Sequence, residues 1–307
     1  MSKNATEARH GKAAGLDMLE AAEILALLAS GQQDAAKAVD KAIPAIARAA
    51  DMVADALRSG AKLIYAGAGS SGLMAMADAL ELPGTYGIPR EQIVLLLAGG
   101  ISSLTDMEGA PEDDVSLAEN DAAPIDAGDC VICVSASGST PYAVAIVDIA
   151  RSRGAKVVAI ANNADARLFS GADVAILLET PPEVVAGSTR MGAGTAQKMA
   201  FNMLSTLAAV KLGHVHDGHM VNLRADNDKL RARAAGMVAD IAGLGFEEAR
   251  ELMVLADGSV KVAVLLAAGA ADVDAANALL IRSDQVLRSA LTELNVTESS
   301  IKRAAKR

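Results

Sequence analysis

The chain has 307 residues, 52% of them apolar, only 2% aromatic and none Trp. That length suits one large domain plus a smaller module. The core must be built from Ala, Leu, Val, Ile and Met, which favours helices packed on a branched-aliphatic sheet. A formal net charge of −10 with no block of Lys or Arg excludes the electrostatic footprint of a nucleic-acid binder. An anionic ligand would have to be held locally, by backbone N–H groups and hydroxyls.

The first residues are polar and lack an apolar signal core, and no apolar run reaches membrane-spanning length free of charges, so a cytoplasmic protein with no membrane partner is expected. Residues 17–58 read as helices. One apolar stripe runs through Leu19, Ile24, Leu27 and Leu28, and another through Val39, Ile43, Ile46, Ala50, Val53 and Leu57, with Pro44 marking a break or a first turn.

From residue 62 the texture changes. A short apolar strand at 62–66 runs into the Gly/Ser loop 67–72 and a helix over 74–82. The unit recurs. The strand at 92–98 ends in Gly99 and Gly100, and the strand at 129–135 runs into loop 136–140 and a helix over 141–153. The strand at 156–161 ends in Asn162 and Asn163, and a further strand covers 173–178 before a long helix at 195–212. Near-continuous apolar strands alternating with helices predict an α/β domain, a five-stranded parallel sheet flanked by helices on both faces. Such sheets bind ligands outside the carboxyl ends of their strands, where every one of these Gly/Ser loops falls. Beyond residue 226, short helices at 228–242, 246–256, 259–267, 272–281 and 284–293 predict a small helical C-terminal module. The expected division is 1–58, an N-terminal helical segment packing on the sheet domain; 59–226, the sheet domain; and 227–307, the helical module.

The only two cysteines, Cys130 and Cys133, lie on one predicted strand and point to opposite faces, which assigns them to the core and not to a disulfide or a metal. Three of the four histidines, His214, His216 and His219, cluster between Gly213 and His219. Without a cysteine partner or a helical metal-site spacing they read as a polar loop or helix end, and no metal or other cofactor is expected.

The loops carry the chemistry. Residues 70–72 (Ser-Ser-Gly) and 135–140 (Ser-Ala-Ser-Gly-Ser-Thr) each join a strand to a helix start, where free N–H groups and hydroxyls can together hold a phosphate dianion. Helix capping is the alternative use of such serines. Neither loop has the Gly-Lys-Ser/Thr of a P-loop, and no Gly-x-Ser-x-Gly elbow is present. Glu81, just before Pro83, and Glu108 and Glu112, after the second strand, are the candidate acid–base carboxylates.

At these residues the chain resembles the SIS (sugar isomerase) domains, and more specifically the N-acetylmuramic acid 6-phosphate etherases. The carrying segments are 66–72, 135–142, 78–87, 108–114 and 187–198. Thr6, Glu7 and Arg9, residues 202–206, Met220, Val221, Asn227, Lys229 and Leu230 match as well. The resemblance runs from about residue 6 to 293. It implies a flavodoxin-like SIS fold and a cofactor-free lyase that cleaves the lactyl ether of N-acetylmuramic acid 6-phosphate to N-acetylglucosamine 6-phosphate and D-lactate, in the recycling of cell-wall amino sugars.

Carried over by position, Glu81 is the acid for the lactyl oxygen and Glu112 the base at C2, with Glu108 as its fallback because Pro111 looks inserted. Ser70, Ser71, Gly72, Ser135, Ser137, Gly138, Ser139, Thr140, Ser188 and Thr189 hold the sugar phosphate. The family has Arg at the positions of Leu73 and Ser139 and Lys at Gly192, so three basic groups near the expected site are neutral here. A SIS isomerase or deaminase and a non-catalytic sugar-phosphate sensor would use the same cradle. The surplus apolar surface of the helices at 17–58 and 195–212 predicts a homodimer.

Overall fold

Strands β1 (Leu63–Gly67), β2 (Ile93–Leu97), β3 (Cys130–Ser135), β4 (Lys156–Ala161) and β5 (Val174–Leu177) form one parallel sheet in the order β2-β1-β3-β4-β5. The computed structural model describes residues 5–101 and 109–304 of the chain. The predicted strands differ from these only at their ends. In register, Leu63 pairs with Ile93 on one side and with Cys130 on the other.

The helices follow in chain order. They are α1 (Ala21–Lys37), α2 (Ile43–Arg58), α3 (Gly69–Tyr86), α4 (Val115–Asp121), α5 (Pro141–Ser152), α6 (Gly192–Lys211), α7 (Asp228–Ala242), α8 (Phe246–Leu255), α9 (Val260–Ala267), α10 (Val273–Arg282) and α11 (Leu287–Ala304). Pro44 sits in the first turn of α2, where its missing N–H costs nothing.

The described chain divides into two compact units, Met1–Leu80 with Arg90–Leu207, and Glu81–Pro89 with Ala208–Arg307. In the first unit, strand alternation sends Ile64, Ala66, Val131, Cys133, Val157 and Ala159 to one face, where they pack with Tyr142, Ile146 and Val147 of α5 and Ala118 of α4. Tyr65 points to the other face and meets Phe201 of α6 with ring centroids 5.8 Å apart. Cys133 belongs to the α4/α5 face and Cys130 to the opposite one. Both are buried, and burial pushes each thiol up to about 12, which leaves them inert fillers of the core.

A single buried carboxylate ties three elements of this unit together. Asp78 of α3 accepts hydrogen bonds from Tyr65 Oη of β1 at 2.8 Å, from Asn202 Nδ2 of α6 at 2.9 Å and from Ser205 Oγ of α6 at 3.0 Å. Burial raises its carboxyl above the ordinary range, opposed by those three donors and by the positive charge of Lys198.

In the second unit α7–α11 close around a core that includes Val238, Ala263, Leu265, Leu280 and Leu287. Asn227, Ser259 and Asp272 cap α7, α9 and α10 through their side chains, and Gly243 ends α7 in a left-handed conformation.

Replacing Asp78 with Ala strips the acceptor from a fully buried tyrosine hydroxyl. We expect an unfolding free energy lower by roughly 1–3 kcal/mol for that group alone, measured by urea titration. The Asp78→Ala/Tyr65→Phe double variant should lose clearly less than the sum of the single losses.

Candidate functional site

The strand order reverses beside β1. The chain leaves β1 for α3 on the sheet face that carries Tyr65, and leaves β3 for α5 on the other face. The two outgoing loops therefore splay apart and leave a crevice at the carboxyl edge, the switch point where open α/β sheets bind ligands. A cavity of about 250 Å³ lies there. It is lined by Ser70 and Ser71 at the start of α3, by Ser135, Ser137 and Thr140 after β3, by Thr189 and Gly187 ahead of α6, by Glu112, and by Thr6 and Glu7 from the N-terminal turn.

The β3–α5 loop is held by its own hydroxyls. Ser135 is buried, and its Oγ lies 2.8 Å from Thr140 Oγ1 and 3.3 Å from Ser137 Oγ while accepting the Gly138 N–H at 3.0 Å. One donor and two acceptor positions are all a hydroxyl offers, so Ser135 is fully used in shaping the loop. Ser137 Oγ accepts from Ser139 N and lies 3.2 Å from Ser139 Oγ. Thr140 occupies the N-cap of α5 but makes no side-chain cap bond. Its hydroxyl is turned to Ser135 and into the cavity, so the capping use of this loop does not describe it.

Glu112 reaches the cavity from the short turn Ala110–Asp113. It lies directly over Gly69, whose backbone has φ +51°. A β-carbon there would collide with Glu112 Oε1, so both the dihedral and the carboxylate demand glycine. Burial raises the Glu112 carboxyl above its ordinary range, with a further push from the Asp113 charge. A carboxyl raised in this way, held in a cavity beside the start of α3, is a candidate general base.

The residues singled out from sequence are placed as follows. Ser70, Ser71, Ser135, Ser137, Thr140, Thr189 and Glu112 are brought together in the cavity lining. Gly72 and Gly138 lie behind it as packing glycines, with Gly67 and Leu97 against the first and Ala166 against the second. Ser139 is exposed, and neither it nor Ser188 is in the lining. Glu81 is exposed on α3, in the second unit, and is not in the lining. Glu108 lies outside the described residues.

Sequence reasoning missed two features. Glu7 was noted only as part of a matching segment, yet its side chain lines the cavity. Glu183 carried no signal at all. It is buried, its Oε2 accepts the Gly192 N–H at 2.9 Å and its Oε1 the Ala193 N–H at 2.8 Å, so the N-terminus of α6 already holds an internal anion.

The histidines are less exposed than a polar loop implies. His216 is buried and pairs with His219 through two backbone hydrogen bonds, which close the tight turn at Asp217 and Gly218, both with positive φ. Burial, with Lys261 nearby, pulls His214 down to about 4. Among the described residues no group of three or more His, Cys, Asp or Glu converges as a metal site, and no helix is long and apolar enough to cross a membrane.

The chain carries a SIS domain, whose profile matches residues 28–162, and the parallel sheet and hydroxyl-lined crevice agree with it. The chain belongs to the N-acetylmuramic acid 6-phosphate etherase family. It is 43% identical over 289 residues to the N-acetylmuramic acid 6-phosphate etherase of Streptomyces avermitilis, covering 93% of each chain. It is 42% identical to that of Symbiobacterium thermophilum, covering 86% of this chain and 89% of the relative. Among solved structures, a phosphoheptose isomerase from Francisella tularensis is 21% identical with a TM-score of 0.45, over 62% of this chain and 96% of that one. The Vibrio vulnificus NanR protein complexed with ManNAc-6P is 21% identical with a TM-score of 0.43, over 64% of each.

Removing the internal anion at α6 tests its structural weight. Glu183→Ala leaves two buried N–H groups without acceptors and should lower the unfolding free energy by roughly 1–3 kcal/mol. Glu183→Gln, which keeps one acceptor, should lose less in the same urea titration.

Proposed function

We propose that the protein is a carbon–oxygen lyase that hydrolyses the lactyl ether of N-acetylmuramic acid 6-phosphate to N-acetylglucosamine 6-phosphate and D-lactate, without a metal or nucleotide cofactor. The observation that carries this reading is Glu112, a carboxyl raised by burial and held over the start of α3 in the same cavity as the hydroxyls of Ser70, Ser71, Ser137 and Thr140. Its agreement with the names of relatives matched across nearly the whole chain gives the substrate.

In this mechanism the phosphate rests on the hydroxyls and on the N–H groups that open α3 and α5. The open-chain aldehyde at C1 acidifies the C2 proton, and the Glu112 carboxylate removes it. The C3–O bond then breaks, and the departing lactyl oxygen takes a proton from Glu81. Water adds at C3 with Glu81 as base, C2 regains its proton, and the sum is one water consumed for one D-lactate released.

Glu81 stands more than three helical turns beyond Gly69 on α3, about 18 Å at the α-helical rise, so a glutamate side chain does not span back to the start of its own helix. In this reading it serves the cavity of a second subunit. A homodimer is also supported by α1, which buries only Ala35 and leaves Leu25 66% exposed beside the half-buried Ile24, Leu27 and Leu28. The substrate class suits a cytoplasmic enzyme.

The decisive assay is D-lactate release from N-acetylmuramic acid 6-phosphate, with deuterium exchange at C2 followed by NMR. Wild-type protein should release lactate. Tight binding without turnover would identify a sensor instead, and aldose–ketose conversion an isomerase. Glu112→Gln should lose both exchange and release by at least about 100-fold, as expected for loss of a general base. Glu81→Gln should keep exchange and lose release. Co-expression of those two inactive variants should restore release, because a mixed dimer holds one cavity with both carboxylates intact, and a complete failure to complement would end the shared-site arrangement.

The pH profile gives a further check. Because the Asp113 charge helps to raise the Glu112 carboxyl, the acidic limb of kcat/KM should move to lower pH in Asp113→Asn while the plateau rate is kept.

A further inference from the structure

The cavity side chains divide by hydrogen-bonding sense. Ser70, Ser71, Ser137, Thr140 and Thr189 can donate, whereas the carboxylates of Glu7 and Glu112 can only accept, and among the described residues no Lys or Arg is in the lining. Glu112 has its place in the mechanism. Glu7 has none, although it is delivered to the cavity by a defined piece of structure. It ends the short helical turn Ala5–Glu7, the Thr6 carbonyl accepts the Gly187 N–H at 3.2 Å, and Thr6 itself is buried. Backbone and threonine thus anchor the turn to the loop ahead of α6, while the Glu7 carboxylate stays exposed and makes no ion pair among the described residues.

An acceptor-only group beside an anionic ligand must face that ligand's neutral donors. A phosphate dianion set against Glu7 would be repelled, as would a second ligand carboxylate, and among the described residues no cation in the lining offsets either. The dianion therefore belongs at the hydroxyl-bearing helix starts, and the carboxylates belong with the sugar. We propose that Glu7 is a specificity-determining residue: its carboxylate accepts hydrogen bonds from hydroxyl or amide N–H groups of the bound phosphosugar, and so selects a hydroxylated, N-acylated sugar phosphate over phosphate alone. A site that hydrogen-bonds a ligand donor discriminates strongly against ligands that lack it. This rests on the sugar-phosphate reading of the cavity, but not on lyase chemistry.

Calorimetry on the full chain with two probes, N-acetylglucosamine 6-phosphate and inorganic phosphate, tests it. Glu7→Ala should weaken the sugar phosphate by about tenfold or more, the weight of one charge-assisted hydrogen bond, and leave inorganic phosphate within about twofold. Glu7→Gln, which retains one carbonyl acceptor, should fall between wild type and Glu7→Ala, and the thermal midpoint should not move. Equal weakening of both probes would reduce Glu7 to a support for the Gly187 loop, and an unchanged sugar-phosphate affinity would remove it from recognition; either result overturns the proposal. Wild-type protein that binds neither probe ends the sugar-phosphate reading and this proposal together. Wild-type protein that binds the sugar phosphate but releases no lactate ends only the lyase reading.

Discussion

The site depends on one topological constraint, the reversal of strand order beside β1. Because β2 and β3 pair to opposite sides of β1, the helices that follow β1 and β3 must leave toward opposite faces of the sheet. Two helix N-termini then open onto the same crevice, each presenting backbone N–H groups that its own helix cannot satisfy. No side chain creates that opening. The side chains only decide what fills it, and here they are hydroxyls and carboxylates.

This arrangement reconciles an acidic protein with an anionic ligand. A net charge of −10 offers no long-range attraction, and among the described residues the cavity lining adds no cation. The positive ends of α3 and α5 supply the local field instead. A third helix start, that of α6, lies on a neighbouring loop and is neutralised from within by Glu183, which takes the N–H groups of Gly192 and Ala193. The anion-binding capacity is thus confined to two of the three helix starts. Gly192 is also the position at which the family carries Lys. A β-carbon there would lie 3.0 Å from Glu183 Oε2, so a basic side chain at 192 would start beside this same carboxylate.

Most of the fold was legible because each level of the sequence pointed the same way. Five apolar runs became five strands, and the helices predicted at 228–242, 259–267 and 272–281 match α7, α9 and α10 to within a residue. The hydroxyl loops were legible for the same reason, since strand–loop–helix order fixes which rim they occupy. What escaped was whatever depends on distance in space without a local pattern. Glu183 caps a helix that starts nine residues later, across a loop with no capping signature. Glu7 lies 61 positions before the next lining residue along the chain, Ala68, on a turn held by the Thr6–Gly187 backbone bond. The half-buried His214 looked polar and loop-like because nothing local shows that Lys261 lies nearby.

Glu81 shows where resemblance and geometry have to be combined. The proposed mechanism takes it as the proton donor on the strength of resemblance alone, yet its own chain leaves it exposed and far along α3 from that helix's start. A carboxylate fixed by sequence but unused within one chain is explained most simply by a site completed by two chains. The proposed dimer would also cover the exposed apolar side of α1, whose branched aliphatic side chains are costly to leave in water. One association would answer both. On this view the sheet edge supplies the phosphate cradle and Glu112 from one subunit, while the second proton-transfer group arrives only on dimerisation. Chemistry at C2 and chemistry at C3 would then rest on different chains.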